Sequence, residues 1–173
     1  EEILEKDNLC RHLKVTIRKR PKQLRGDLVS MNKIIEHDLL NSNGDIYVMT
    51  HTTNPLISKE TISKAIRVFE ENSVKGKFDS LFTVNKIQTR FYSKRGKAIN
   101  HNPKKLIPTQ DLEIWYEENS NLYIFNKKSF NQTNARIGKN PILFETPHIE
   151  SFDIDTPDDW AIAEAIAMYN KNK

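Results

Sequence analysis

Apolar residues along the chain follow two spacings that alternate with each other. Residues 30–40 and 58–69 carry apolar side chains three and four positions apart, which is the spacing of one face of a helix. Short, mostly apolar runs lie between such segments and are typical of strands in a sheet covered on both faces. The predicted strands are 45–50, 79–84, 121–125, 142–144 and 152–154, and the predicted helices are 30–40, 58–69, 127–130 and 156–168.

This order of elements predicts an α/β fold with a mostly parallel sheet flanked by helices, because strands that alternate with helices are usually joined by crossover connections. Ligands of such sheets bind beyond the carboxyl ends of the strands. The residues that follow strands, at 50–55, from 84 onward and at 153–155, are therefore the expected positions of a site. A polar excursion at 86–109 interrupts the alternation and is compatible with a hairpin.

The composition is that of a folded globular chain. Of its 173 residues, 37% are hydrophobic and 29% are charged, and the length suits a single domain over 1–173. Lys and Arg number 27 and Asp and Glu number 23, and the resulting net charge of +4 suits an anionic ligand. The basic stretch at 11–25 contains no aromatic residue for base stacking, so we expect no nucleic-acid partner.

Cysteine content and hydropathy bear on the compartment. Cys10 is the single cysteine, which excludes an internal disulfide. No apolar run approaches the ~20 residues that span a bilayer, and no signal peptide is visible. We therefore expect a cytoplasmic protein without a membrane partner.

Two carboxylates at the last predicted strand are the strongest local signal for chemistry. Asp153 and Asp155 alternate with Ile154 and would point to the same side of a strand, directly before a helix. Hard oxygen ligands of this kind suit Mg²⁺, which takes one or two carboxylates together with substrate phosphates. The alternative is that Asp155 belongs to the capping turn of the helix while Asp153 is only solvated, and both interpretations stay open.

Two further polar segments allow a functional and a structural interpretation. His51, Thr52, Thr53 and Asn54 follow a predicted strand and could hold a base or a sugar, but turn-forming residues of this kind are also common in ordinary loops. The segment 116–123, which is preceded by Gln110, mixes amides, carboxylates and aromatic residues before a strand. On spacing alone, the structural interpretation is favoured for both segments.

The order of these segments resembles that of the acylneuraminate cytidylyltransferases, the CMP-sialic acid synthetase family. The resemblance covers nearly the whole chain, although no single motif is decisive. The matching motifs are Arg20-Pro with Asp27, Glu36-His-Asp-Leu, the loop 48–55, the strand 79–84, Gln110-Asp-Leu, Glu118-Asn-Ser with Leu122-Tyr-Ile-Phe, and the closing Asp153-Ile-Asp-Thr-Pro-Asp-Asp-Trp.

The resemblance implies a Rossmann-like nucleotidyltransferase fold and the transfer of CMP from CTP to an acidic sugar, sialic acid or a related nonulosonate, with release of pyrophosphate. By similarity, Asp153 and Asp155 are the catalytic carboxylates that hold Mg²⁺ or another divalent cation. Residues 51–54 would lie near the nucleotide and the sugar, and Gln110 and Tyr123 would help to form the sugar pocket. The family forms homodimers, with 86–109 as the dimerisation excursion and its part from residue 91 onward reaching toward the partner's site.

The chain departs from the family pattern at several places. The Gly-Ser-Lys loop that holds the CTP phosphates is absent, and Glu1-Glu-Ile resembles the region after it. We therefore expect a chain truncated at its N-terminus, with weak or no turnover by itself. His51 stands where the family often has Gln, Thr109 where sialate enzymes tend to have Arg, and Ser120 where the family has Gly. The alternative function is a non-catalytic nucleotide-sugar-binding or dimerisation module of the same fold.

Overall fold

The structure is a computed structural model that describes residues 15–74 and 76–171. It divides into two compact units, Glu1–Ser42 and Asn43–Lys173. Cys10 and the first residues of the basic stretch, 11–14, lie outside the described residues. The regular elements are helices α1 (Met31–Leu40), α2 (Lys59–Ser73), α3 (Lys127–Thr133) and α4 (Pro157–Lys171), strands β1 (Tyr47–Thr50), β2 (Ser80–Ile87), β3 (Trp115–Phe125) and β4 (Pro141–Glu145), and single 3₁₀ turns at Lys22–Leu24, Thr109–Asp111 and His148–Glu150.

In the first unit, α1 forms where its apolar spacing predicts a helix. The Ser30 hydroxyl accepts a hydrogen bond from the main-chain N–H of Asn32, which satisfies one donor of the first turn. Arg18 donates to the main-chain carbonyl of Asp38 at 3.3 Å and pairs with its carboxylate at 3.4 Å. A cation is favourable at this helix end because unpaired carbonyls accumulate there. This part of the basic stretch therefore has a structural role within its own unit.

The second unit contains a four-stranded sheet with the order β1-β3-β2-β4. β3 pairs antiparallel with both β1 and β2, whereas β2 and β4 are parallel. The prediction of a mostly parallel sheet is therefore wrong for the described residues, and the sheet is mixed. The physical reason lies in the excursion, because it returns the chain to the sheet without a crossover helix, so β3 enters from the opposite end.

The main core of the second unit lies between this sheet and α2. Ala65 and Phe69, on the predicted inner face of α2, pack against Leu81, Leu122 and other residues of the sheet. All four side chains are 0–1% exposed. At about 25 cal/mol per Å² of buried apolar surface, such residues supply most of the stability that holds the strand ends in place.

Side-chain hydrogen bonds cap the starts of α2 and α4, the two helices that flank the site. Ser58 accepts a hydrogen bond from Thr61 N at 3.1 Å at the start of α2. At the start of α4, the Asp159 carboxylate accepts from the main-chain N–H and the hydroxyl of Thr156, both at 2.8 Å. None of the helices in the described part of the chain has the length and apolar character needed to cross a bilayer.

The predicted strand at 152–154 is not formed. These residues are extended but do not join the sheet, and the main-chain hydrogen bond in this stretch runs from Ile154 N to Thr53 O at 2.9 Å. A short apolar stretch with alternating polarity is compatible with a strand, but it needs a free sheet edge to pair with. Here the segment runs along the loop after β1 instead, which places its carboxylates beside that loop.

Asp79 holds the loop that leads into β4. Its carboxylate accepts hydrogen bonds from Lys139 N at 2.8 Å and Asn140 N at 3.1 Å, while Gly138 N donates to Ser80 Oγ at 2.8 Å. A Cβ atom added at Gly138 would collide with this carboxylate. The loop is therefore fixed by contacts that only glycine permits at this position.

The excursion between β2 and β3 contains two isolated antiparallel bridges, one of which joins Tyr92 and Ala98. The ring of Phe91 stacks on that of Trp115 with centroids 5.2 Å apart, which connects the excursion to the start of β3. Arg90 donates to the carbonyl of Ile107 at 2.6 Å. The excursion is therefore an ordered, hairpin-like segment attached to one end of β3.

Candidate active site

A group of polar side chains lies at the carboxyl end of β1, one of the strand ends at which the sequence predicts a site. His51 follows β1 directly. Tyr123 on β3 is paired with Met49 of β1 on one side and with Phe82 of β2 on the other. The tilted rings of His51 and Tyr123 have centroids 6.2 Å apart.

β3 bulges at this point. Between Phe82 and Val84 the paired residue on β3 changes from Tyr123 to Glu118, so β2 advances two residues (82 to 84) while β3 covers five (118 to 123). Ser120, within the bulge, has φ = 57°, in the left-handed region where the family's glycine would be favoured. Residues five apart on a regular strand face opposite sides. The bulge instead brings the Glu118 carboxylate and the Ser120 hydroxyl to the phenol of Tyr123.

Two buried asparagines fix the bulge. Asn119, 8% exposed, donates to the Thr146 hydroxyl at 2.8 Å, and Asn121, fully buried, donates to the carbonyl of Glu150 at 2.8 Å. The same Glu150 accepts from the N–H and the hydroxyl of Ser58, both at 3.0 Å, at the start of α2. The bulge is therefore tied to both chain segments that surround the site, as is common for bulges next to functional sites.

Arg136 is the centre of the polar group. Its guanidinium lies over the ring of Tyr123 at 3.7 Å from the centroid, a cation–π arrangement. Nη2 donates to the phenol oxygen at 2.8 Å and to Glu118 at 3.3 Å, and Nη1 lies 3.2 Å from Nε2 of His51. The side chain is only 19% exposed, so these contacts orient a largely desolvated cation. We call Arg136, His51, Tyr123 and Glu118 the arginine cluster.

The loop that carries Arg136 is short and well anchored. It follows α3, and the Thr133 hydroxyl lies 3.2 Å from the carbonyls of Ala135 and Ile137 on either side of the arginine. Three and four residues beyond Arg136, the main-chain N–H groups of Lys139 and Asn140 donate to the Asp79 carboxylate. The guanidinium is thus positioned by backbone contacts as well as by its own partners.

Tyr123 is neutral at physiological pH. Its side chain is fully buried, and burial followed by the hydrogen bond to Glu118 raises the pKa of the phenol to about 12. It acts as a donor to Glu118 and an acceptor for Arg136, and not as a general base.

His51 is also neutral, and its tautomer follows from its partner. Burial and the charge of Arg136 lower the pKa of His51 below 6.5, against the opposing effect of Asp153 and Glu118. Because an arginine side chain only donates hydrogen bonds, Nε2 of His51 must be the acceptor and Nδ1 carries the proton. His51 therefore offers an N–H donor to the site, as the amide of the Gln found at this position in the family would.

The aspartate segment lies against the loop after β1. Ile154 N donates to Thr53 O at 2.9 Å, and the Asn54 amide lies 3.4 Å from the carbonyl oxygen of Phe152. Asn54 is 2% exposed, so its side chain positions this segment rather than facing solvent. Asp153 is close enough to His51 to affect its pKa.

Asp155 is not the capping carboxylate of α4. That role belongs to Asp159, which also accepts from Asp155 N at 3.1 Å, and these hydrogen bonds lower the pKa of Asp159. The carboxylates of Asp153 and Asp155 are exposed and accept no hydrogen bond from the described residues. Two free carboxylates fit Mg²⁺, which completes its shell with waters and phosphate oxygens. No group of three or more such ligands occurs among the described residues.

The structure brings together some of the predicted site residues. His51, Tyr123 and Asp153 lie in one group, and Thr52, next to His51 in the chain, lines a groove together with Ile154 and Trp160. Gln110 lies elsewhere, at the end of the β2–β3 hairpin, where its carbonyl accepts from Gln88 at 2.7 Å. That end is roughly 17 Å from Tyr123 along β2 at about 3.3 Å per residue. The role of Gln110 in the sugar pocket stays a prediction.

Sequence reasoning missed Arg136 and the role of Glu118. Arg136 is a lone arginine in a loop after a short helix, and no spacing or motif distinguishes it from the other basic residues. Glu118 was visible within a motif, but its contact with Tyr123 depends on the bulge. The signal for that bulge in the sequence was Ser120, which stands where the family has Gly. In the structure its φ is 57°, in the left-handed region.

The fold of the chain matches that of a solved structure. The structure matches the crystal structure of 4-diphosphocytidyl-2C-methyl-D-erythritol synthase from Anaerococcus prevotii with a TM-score of 0.57, over 80% of this chain and 67% of that chain. The sequence identity is 11%, so this likeness concerns the fold alone. It confirms an α/β fold with helices around a sheet.

Sequence comparison then gives the family. The profile of the cytidylyltransferase family matches residues 3–173, and the chain belongs to this family. It is 30% identical over 135 residues to the CMP-N,N'-diacetyllegionaminic acid synthase of Legionella pneumophila. The match covers 73% of this chain and 56% of that relative, so the chain spans little more than half of the relative's length. The family predicted from the motifs is thereby confirmed.

Proposed function

We propose that the protein transfers CMP from CTP to an acidic sugar and releases pyrophosphate. The observation that carries this proposal is the position of Asp153 in a chain of the cytidylyltransferase family: its free carboxylate is close enough to His51 of the arginine cluster to affect the pKa of that histidine. The name of the Legionella relative supports a sugar of the diacetyllegionaminic acid type as the acceptor.

In this proposal, the chain's own residues bind and orient both substrates. Asp153 and Asp155 would hold Mg²⁺, which neutralises phosphate charge when it is bound. Nδ1–H of His51 donates a hydrogen bond to a substrate oxygen, and Tyr123 keeps Arg136 in place. Nucleotidyl transfer needs little covalent work from the protein, because positioning and charge stabilisation dominate such reactions.

The test is pyrophosphate release by the complete protein with CTP, Mg²⁺ and a panel that contains sialic acid and N,N'-diacetyllegionaminic acid. The product is identified as a CMP-sugar by mass spectrometry. Asp153→Asn and Asp155→Asn are each expected to lower kcat/KM by a factor on the order of 100 or more. Asp158→Asn is the matched control, because Asp158 is an exposed aspartate nearby in the first turn of α4.

Each outcome of this test has a distinct meaning. Release with one sugar confirms the reaction class and names the substrate. A folded protein that binds CTP but releases no pyrophosphate with any sugar supports the non-catalytic binding module instead. Equal activity of Asp155→Asn and Asp158→Asn would remove Asp155 from the metal site.

The proposal includes a homodimer formed through the excursion. Tyr92, Ile99 and Leu106 are 52–70% exposed there, which is unusual for large apolar side chains in one short segment. Contact with a second copy would cover them and could bring Gln110 toward the partner's site. Leu106→Glu is expected to shift the mass measured by light scattering from dimer to monomer, and an unchanged dimer would exclude this surface.

A further inference from the structure

The sugar acid in the proposed reaction carries a carboxylate that needs a cationic partner in the site. The resemblance places that partner, an arginine, directly before Gln110, but this chain has Thr109 there. The 3₁₀ turn that contains Thr109 also lies at the far end of the β2–β3 hairpin from the arginine cluster. The chain therefore lacks the expected arginine at this position.

Arg136 is a cation inside the site that has unused donors. Its Nη2 is engaged by Tyr123 and Glu118, and one N–H of Nη1 is engaged by His51. The remaining N–H of Nη1 and the Nε–H have no acceptor among the described residues. Arginine has five N–H donors, so the contacts in the structure orient the side chain and leave donors available for a ligand.

The surroundings of Arg136 make it a preorganised anion binder. The ring of Tyr123 supports one face of the guanidinium at 3.7 Å, and the side chain is 19% exposed. A guanidinium that is already oriented and largely desolvated loses little conformational entropy when it binds a carboxylate, and it interacts more strongly than one in water. The charged groups that act on His51 are Arg136, Asp153 and Glu118, and Arg136 is the cation among them.

We propose that Arg136 is the specificity-determining residue that binds the carboxylate of the acidic sugar, from a loop different from the one that carries the family's arginine. This inference rests on the proposed function. In the proposed function, Asp153 and Asp155 would hold the cation that neutralises phosphate charge, which leaves Arg136 to the carboxylate of the sugar.

The experiment measures pyrophosphate release by the complete protein with an active sugar acid and with the same sugar whose carboxylate is converted to an amide. The wild-type protein is expected to prefer the acid by about 10- to 100-fold in kcat/KM, the range for one charge-assisted hydrogen-bonded pair. Arg136→Gln is expected to lose that preference through a higher KM for the acid, so that its activity on the acid falls about 10- to 100-fold more than its activity on the amide. Arg136→Lys keeps the charge without the fork and is expected to retain part of the preference.

Arg67→Gln is the matched control, because Arg67 is an exposed arginine on α2, and it is expected to behave like the wild-type protein. A wild-type protein that uses acid and amide equally overturns the inference without any variant, even if Arg136→Gln does not fold. Equal loss of activity on acid and amide in Arg136→Gln also overturns it, because that result indicates a structural role. Absence of release with every sugar acid is a different result, which refutes the proposed function itself.

Discussion

Replacement of Tyr123 by Phe tests the arginine cluster most directly, because it removes one oxygen atom and leaves the ring beneath Arg136. The phenol donates to Glu118, accepts from Arg136 Nη2 at 2.8 Å and lies 3.2 Å from Ser120 Oγ. Hydrogen bonds to charged groups contribute about 1.5–3 kcal/mol each. Arg136 and Glu118 keep their mutual contact at 3.3 Å, which offsets part of the loss. We therefore expect Tyr123→Phe to lower the free energy of unfolding by about 2 kcal/mol.

The assay is urea denaturation at neutral pH, with Tyr116→Phe as the control. Tyr116 lies on the same strand, is 49% exposed and has no resolved hydrogen-bond partner in the described residues. Its replacement is expected to change the free energy of unfolding by less than about 0.5 kcal/mol, as for most surface changes. Equal effects of the two substitutions would refute the reasoning that the buried phenol holds the cluster together.

The difference in stability between the wild-type protein and Tyr123→Phe should also depend on pH, which gives an independent test. The pKa of Tyr123 is about 12 in the folded protein and 10.0 in its unfolded reference. Between these values, the folded state binds more protons than the unfolded state, so stability present below pH 10 is lost as the pH rises toward 12. The advantage of the wild-type protein over Tyr123→Phe should therefore shrink above pH 10. A difference that stays constant over that interval would contradict the assigned environment of the phenol.

Three further substitutions follow from the structure. The lowered pKa of His51 means that the unfolded state binds a proton more readily than the folded state, so His51 is expected to reduce stability as the pH falls below 6.5. His51→Gln should therefore lose less stability than the wild-type protein over this interval, as checked by urea midpoints measured between pH 5 and 8. Gly138→Ala should lower the free energy of unfolding by about 1–3 kcal/mol, because the new methyl group displaces the Asp79 carboxylate. Gly44→Ala is the control: its methyl group would meet neighbours at ordinary contact distances of 3.6–3.7 Å and should change the free energy of unfolding little. Ser120→Val should lower the free energy of unfolding by about 1–2 kcal/mol, because a β-branched residue is strained at φ = 57°. Ser120→Gly should leave it unchanged, and thermal or chemical unfolding measures both.

The sequence predicts the elements of this fold better than their arrangement. Local signals such as the apolar spacing of 58–69 act within a few residues, and the structure has α2 where that spacing predicts a helix. The direction of β3 does not appear in such a pattern, because an apolar run reads the same whichever way the strand pairs. The segment 152–154 has the pattern of a strand, yet it pairs with a loop instead.

The candidate site shows the same division between local and long-range information. His51 follows a predicted strand and Asp153 lies in another, and the rule about strand ends and the family motifs both point to them. The contribution of Arg136 depends on a glycine-dependent loop and on a bulge, which join residues that lie 13 to 85 positions apart in the chain. Periodicity in a sequence does not predict contacts between residues that far apart, so only the structure shows that Arg136 belongs to the site.

The contact between the segment 150–155 and the loop after β1 has a consequence for the order in which the protein folds during synthesis. All four strands of the sheet have been synthesised once the chain reaches Glu145, before any of 150–155 exists. The contact between Asn54 and Phe152 then joins residues 98 positions apart. A nascent chain that ends at Glu145 therefore has every strand of the sheet but lacks both aspartates and Glu150, the residue whose carbonyl accepts from Asn121 in the bulge.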